Sequence, residues 1–340
     1  EESGYMSRVV FLMDRVMRRF GLSGKSVVPL VSGTACAIPA VMATRNIEDW
    51  KERLITILVV PFTTCSARLP VYLIIIALVI PNERVLGIFN LQGLTLMLLY
   101  LLGFGMSVFS AWVLNKILKI KSKTYFVIEM PDYKLPLFKN VGINVVEKTK
   151  SFVFGAGKII LAISIILWVL ASYGPTDEFD KAEEIVSEKY GETLTAEEFE
   201  NHVASVKLEN SYIGMMGKGI EPIVRPLGYD WKIGIAIVSS FAAREVFVGT
   251  LATIYSVGSD EEKTIKDRMA AETNPILGGP LFNFASGISL LLFYAFAMQC
   301  MSTLAIVKRE TNSWKWPALQ LVAMSGIAYV AALAAFQLLK

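Results

Sequence analysis

Two apolar segments, separated by a charged connector and each cut by prolines around a cysteine, set the tightest constraint on how this chain folds. The first reads Gly24-Lys-Ser-Val-Val-Pro-Leu-Val-Ser-Gly-Thr-Ala-Cys-Ala-Ile-Pro39, and the second Val60-Pro-Phe-Thr-Thr-Cys-Ser-Ala-Arg-Leu-Pro70. The connector Arg45-Asn-Ile-Glu-Asp-Trp-Lys-Glu-Arg53 carries too much charge to lie in lipid. Proline removes a backbone donor and clashes with the preceding turn. In hydrocarbon, a broken helix survives only where protein or a water-filled cavity covers the freed groups. Freed carbonyls and helix ends beside a soft thiol make an ion site within a membrane. The pattern predicts the moving part of a transporter.

Composition agrees. Of 340 residues, 54% are hydrophobic and 19% charged, with a mean hydropathy of +0.51. A soluble protein of this size would rarely contain so many membrane-length apolar runs. Residues 85–115, 155–173, 232–257, 281–307 and 316–338 read as spans, 26–44 and 54–80 as broken segments, and 211–230 as a short oblique entry. Residues 5–20, with Arg8, Arg15, Arg18 and Arg19, read as an interfacial helix or the basic end of a membrane helix. The basic ends at 116–123 and 308–315 place those loops in the cytoplasm. The 175–210 stretch, with eleven acids and three lysines, and the acidic 259–274 linker fall on the opposite side. The expected fold is an all-α polytopic membrane protein with gate-type repeats, broken helices and re-entrant segments. Its expected organisation is a first gate module at 1–128, a connector, span and acidic excursion at 129–210, and a second gate module with the last helix at 211–340.

Cys36, Cys65 and Cys300 all sit in apolar surroundings, with no CxxC pair, and the single His202 falls in a polar stretch read as loop. A structural zinc cluster is therefore not expected. A buried cysteine is commonly an inert small hydrophobe. Two at comparable helix breaks favour soft-metal ligation, and Met298 and Met301 flank the third. Arg244 and Glu245 interrupt an apolar stretch: Glu245 is a candidate cation ligand or proton acceptor, and Arg244 the alternative half of a structural ion pair. Arg68 is expected to satisfy freed carbonyls or a carboxylate, and Glu129 and Glu221, beside prolines, to serve structure. Gly24-Lys-Ser26 imitates a phosphate loop, but Arg19 stands where that motif needs glycine and no strand precedes it. Nucleic acid is not an expected partner.

At these residues the sequence resembles the C-terminal membrane region of the bacterial ferrous iron transport protein B family. The resemblance runs through Ser3-Gly-Tyr-Met-Ser-Arg, Met13-Asp-Arg, Gly21-Leu-Ser-Gly-Lys-Ser26 and Cys36-Ala-Ile-Pro-Ala-Val-Met-Ala-Thr-Arg45. It resumes at Glu52-Arg-Leu-Ile-Thr-Ile, Cys65-Ser-Ala-Arg-Leu-Pro-Val-Tyr72, Glu129-Met-Pro-Asp-Tyr, Glu221-Pro and Asp230-Trp-Lys-Ile-Gly234. Ala243-Arg-Glu-Val246 and Arg309-Glu-Thr-Asn-Ser-Trp-Lys315 complete it. The broken segments also resemble nucleoside-transporter gates. The resemblance implies Fe²⁺ import across the bacterial inner membrane, with Cys36 and Cys65 lining the iron path, Cys300 as a later membrane cysteine and Glu245 balancing charge. Arg244 stands where many relatives are expected to carry Lys, which keeps the charge but not the geometry. The family's GTP-binding domain, with its GTP and Mg²⁺, does not match any part of this sequence, so nucleotide hydrolysis is not expected of it. The opening Glu1, without an initiator Met, fits a piece of a longer protein. Expected partners are Fe²⁺, membrane lipids, a GTP-binding domain in cis or as a separate chain, a small accessory iron-transport protein, and other copies of the chain. The rival readings are a transporter of a small organic solute such as a nucleoside, and a non-transporting truncated membrane subunit.

Overall fold

A computed structural model describes residues 4–85, 89–118, 133, 137–175, 179, 181–190, 196–241, 244, 246–254, 281–298 and 300–340. The helices are α1 Tyr5–Met17, α2 Val27–Gly33, α3 Ala37–Ala43, α4 Trp50–Val59, α5 Leu69–Val79, α6 Leu91–Ile117 and α7 Phe138–Ser172. They continue with α8 Ala182–Tyr190, α9 Ala196–Glu209, α10 Tyr212–Val224, α11 Trp231–Ser240, α12 Val246–Ile254, α13 Phe284–Phe296, α14 Met301–Thr311 and α15 Lys315–Leu339. A two-residue antiparallel pair, Arg84–Val85 with Phe89–Asn90, precedes α6. Trp50–Val79, Leu91–Ile117, Phe284–Thr311 and Lys315–Leu339 are each long and apolar enough to cross a bilayer. Leu98, Leu101 and Phe109 of α6 and Val322 and Val330 of α15 are exposed, as lipid-facing side chains are. The protein is an all-α polytopic membrane protein.

Four of the prolines act less as breakers than as starters. Pro29 and Pro39 are third in α2 and α3, Pro70 second in α5 and Pro317 third in α15. First-turn N–H groups have no intrahelical acceptor, so a proline there loses nothing. The breaks fall just upstream, at 34–36 and 60–68.

Glu1–Ala67, Leu98–Ile159 and Ser302–Ala323 form one compact unit. Its core gathers Leu30, Ile38, Val41, Ile55 and Val59 with Ala111 of α6 and Ile306 of α14. Helix α1 is seated on the turn that opens the first broken segment. Gly24 N–H donates to Asp14 Oδ1 at 2.9 Å, and a Cβ on Gly24 would collide with the Val10 carbonyl. That close approach, not phosphate binding, is why glycine stands there. In the same unit, Gln320 Nε2 donates to the Leu58 carbonyl at 2.9 Å, just ahead of the second break.

Arg68–Met97, Ile160–Met301 and Met324–Lys340 form the other unit. Its buried polar thread runs from Tyr229 Oη to Ser289 Oγ at 2.9 Å, and from Ser289 Oγ, as donor, to the Ala332 carbonyl at 3.0 Å. The acidic excursion holds two polar helices, α8 and α9, packed through Ala182, Val186 and Val203. Ser205 Oγ donates to the Ile254 carbonyl at 2.7 Å and ties α9 to the end of α12.

Three boundaries differ from the sequence reading. Helix α7 begins at Phe138, well before the apolar run, because its polar first half propagates as helix. His202 lies on α9 rather than in a loop. The run 281–307 is not continuous: Ala297 turns extended, with ψ 140°, and helix resumes only at Met301.

Candidate functional site

In the first unit the two cysteine-bearing breaks lie against each other. Cys36 is extended, with φ −156° and ψ 135°, between α2 and α3. Cys65 follows the 3-10 turn Val60–Phe62 and the extended Thr63. Ser66 donates twice to the Ala35 carbonyl, through its N–H at 3.4 Å and its Oγ at 2.8 Å. The residues that touch are thus the immediate neighbours of Cys36 and Cys65. Gly33 permits the approach, because a Cβ there would collide with Thr63 Oγ1. Both thiols are half-buried and reduced. The arrangement offers two soft sulfurs among helix ends whose carbonyls are not all used by intrahelical bonds.

The second unit repeats the pattern. One break separates α11 from α12, the other α13 from α14, and Met301 N–H donates to the Phe241 carbonyl at 3.1 Å to join them. Cys300 sits half-buried in the latter break. Arg244, only 5% exposed, reaches from the first of these breaks to the end of α13. Its Nη2 donates to the Ala297 carbonyl at 3.0 Å and its Nη1 to the Tyr294 carbonyl at 3.5 Å. The partners described for Arg244 are terminal carbonyls, while Glu245, the other half of the alternative ion pair, lies outside the described residues. This fork explains why a break without proline is stable, since the guanidinium takes over the acceptors that a continuing helix would have satisfied. Phe247 packs edge-on to Tyr294 at 4.7 Å and closes the same corner.

Arg244→Met should therefore lower stability by about 2 kcal/mol, from lost charged hydrogen bonds to buried acceptors. Arg244→Lys should recover part of it, because an ammonium reaches one carbonyl but not the fork. Thermal unfolding in detergent measures both; equal melting of the methionine variant and the parent would refute the capping role.

Of the four residues expected to handle metal, Cys36 and Cys65 are brought to adjoining breaks, Cys300 stands at the equivalent break of the other unit, and Glu245 lies outside the described residues. Glu129 does too. Arg68 is fully buried at the head of α5. Among the described residues, no three His, Cys, Asp or Glu side chains gather closely enough to hold a metal.

Sequence reasoning passed over Glu310. Its side chain, 3% exposed, receives Arg45 Nε at 2.9 Å and Arg45 Nη2 at 2.6 Å, and Arg53 Nη2 at 3.0 Å. The connector arginines are thereby tied to the end of α14. A lone acid directly after Lys308-Arg309 was the available signal.

Membrane-length helices broken in pairs beside cysteines define a membrane protein of the gate class. The chain matches the family described as Nucleoside recognition, or Gate, over residues 1–79 and 153–314, and the family described as Ferrous iron transport protein B C terminus over residues 96–148. It belongs to the C-terminal membrane region of the ferrous iron transport protein B family. The Fe(2+) transporter FeoB of Leptospira interrogans serogroup Icterohaemorrhagiae serovar Lai is 46% identical over 99% of this chain and 46% of that protein. The Fe(2+) transporter FeoB of Staphylococcus aureus (strain MSSA476) is 35% identical over 97% of this chain and 43% of its own length. A Porphyromonas gingivalis protein named Fe(2+) transport protein A/Fe(2+) transporter FeoB fusion protein is 34% identical over 97% of this chain and 40% of its own length. The chain thus spans about half the length of the curated relatives it matches. No solved structure matches it.

Proposed function

We propose that the chain is the permease core of a ferrous iron importer of the bacterial inner membrane. The observation that carries this reading is the double hydrogen bond from Ser66 to Ala35, which sets the Cys36 and Cys65 breaks side by side. Fe²⁺ is a borderline ion that accepts thiolate as well as oxygen. Partly dehydrated at the breaks, it would exchange water for the sulfurs of Cys36 and Cys65 and for nearby carbonyls, with Cys300 as a later station and Glu245 balancing charge. Rearrangement of the broken segments would alternate access, as in transporters built on discontinuous helices. A GTP-binding domain, in cis or as a separate chain and using GTP with Mg²⁺, would bias that rearrangement. The fusion named for the Porphyromonas relative supports a small accessory iron-transport partner. A homo-oligomer is compatible with this reading.

The match to the Nucleoside recognition family favours one rival, a nucleoside transporter. The test is anaerobic uptake by vesicles containing the protein with its GTP-binding domain, offered radiolabelled Fe²⁺ or uridine in parallel. Saturable Fe²⁺ uptake that competing uridine leaves unchanged is the expected result. Uridine uptake without iron uptake would overturn the assignment.

A further inference from the structure

The second break in the first unit has an oxygen-lined side that the thiol chemistry does not use. Thr64 and Ser107 are 1% and 0% exposed, and neither hydroxyl has a hydrogen-bond partner among the described residues. Native proteins rarely leave such groups unmet, so each orphan calls for an explanation. The two belong together. Gly103 lies one helical turn from Ser107 on the same face of α6, with Leu99 and Ala111 the other buried residues of that face. A Cβ built on Gly103 would come within 2.6 Å of Thr64 Oγ1 and 3.1 Å of the Phe62 carbonyl oxygen. The break therefore presents a hydroxyl and the edge of a 3-10 turn to the stretch of α6 that carries the second hydroxyl. Small residues at 103, 107 and 111 account for close helix packing by themselves. They do not account for a threonine whose oxygen is sealed against glycine, where valine would fill the same space without a polar atom.

From this placement, the geometry points to a binding site for an alkali-metal cation between Thr64 and Ser107, completed by carbonyl oxygen of the Val60–Phe62 turn. The donor chemistry selects the class. Hydroxyl and carbonyl oxygens are hard and neutral, which suits a singly charged hard ion. A divalent ion in a buried site needs carboxylates to offset its dehydration, and a borderline ion is better served by the thiols. Unwound segments of membrane helices supply this kind of oxygen set to coupling cations. Bound there, the cation would join α6 to the break that carries Cys65 and so tie the state of that break to the ion. The site goes beyond the iron reading and does not depend on it.

The experiment needs no iron. The purified protein is melted in detergent over a titration of NaCl, KCl or LiCl, with choline chloride holding ionic strength constant. At least one alkali cation should raise the melting temperature saturably by several degrees. Thr64→Val and Ser107→Ala should each move the half-effect to at least tenfold higher cation concentration. Ser107→Ala removes one atom from a helix, so it keeps the test valid if the threonine variant fails to fold. Indistinguishable melting in all four salts would overturn the site. So would a cation response unchanged in a folded variant, which would leave the hydroxyls as sites for trapped water.

Discussion

Replacing Glu310 with alanine is expected to destabilise the first unit by about 3 kcal/mol, more than any ion pair on the surface of the chain is worth. An exposed pair contributes about 0.2–1 kcal/mol, whereas stripping one partner from a buried pair costs about 3–5 kcal/mol. Glu310 belongs to the second group because its carboxylate is 3% exposed and accepts three hydrogen bonds from two arginines. The arginine side chains are 53% and 23% exposed at Arg45 and Arg53, so each keeps some water after the carboxylate is gone, and the estimate sits at the low end of that range. Arg45 meets Glu310 two-pronged, Nε to one oxygen and Nη2 to the other, which is the geometry lysine cannot supply. The contact spans 265 residues of sequence, so its loss loosens the connector between the two broken segments rather than one helix. For a protein of this size the change should appear as a fall of about 4 °C in the melting temperature. Lys25→Ala is the control: it removes the pair with Glu48, whose side chain is 80% exposed, and should leave melting unchanged. Equal melting of the two variants would show that Glu310 is spectator chemistry.

The same cluster shows what the sequence makes legible and what it does not. The two breaks beside Cys36 and Cys65 are readable because their signals are local. Prolines at 29, 39, 61 and 70 bracket two cysteines, and helix starts tolerate proline for a reason intrinsic to the backbone. The connector was readable as non-lipidic because it is dense in charge. That its two arginines converge on an acid far along the chain was not readable, since nothing in local pattern states a long-range partner. The break at 297–300 failed for a related reason. No proline or glycine marks it, and what sustains it is Arg244, brought by the fold to the last carbonyls of α13. The oxygen-lined side of the second break was equally hidden: Thr64 reads as one more polar residue until Gly103 is seen against it. In each case a side chain supplied from another segment replaces what local sequence lacks.

Cys36→Ser and Cys65→Ser should each reduce Fe²⁺ uptake at least tenfold in the vesicle assay, and the double variant should fall little further. Serine keeps the size of cysteine and replaces a soft, readily ionised sulfur with a hard neutral oxygen. The fold should tolerate the change while the affinity for a borderline metal does not. Tenfold corresponds to about 1.4 kcal/mol, a modest value for one metal–sulfur contact partly replaced by water. Near-saturation of the double variant is the sharper expectation. Residues that hold one ion together do not lose their effects additively, because the first removal already empties the site. Two thiols that merely pack in separate hydrophobic surroundings would each give a small effect, and the two would add. The Ser66–Ala35 contact favours the first outcome, since it joins the two breaks through the residues next to Cys36 and Cys65. Selectivity gives an independent reading: loss of sulfur should narrow the preference for Fe²⁺ over Mn²⁺, which binds oxygen sites comparatively well. Parent-level uptake with an unchanged Fe²⁺/Mn²⁺ ratio in the double variant would mean that the ion passes these breaks on oxygen alone, and the cysteines would revert to small hydrophobes.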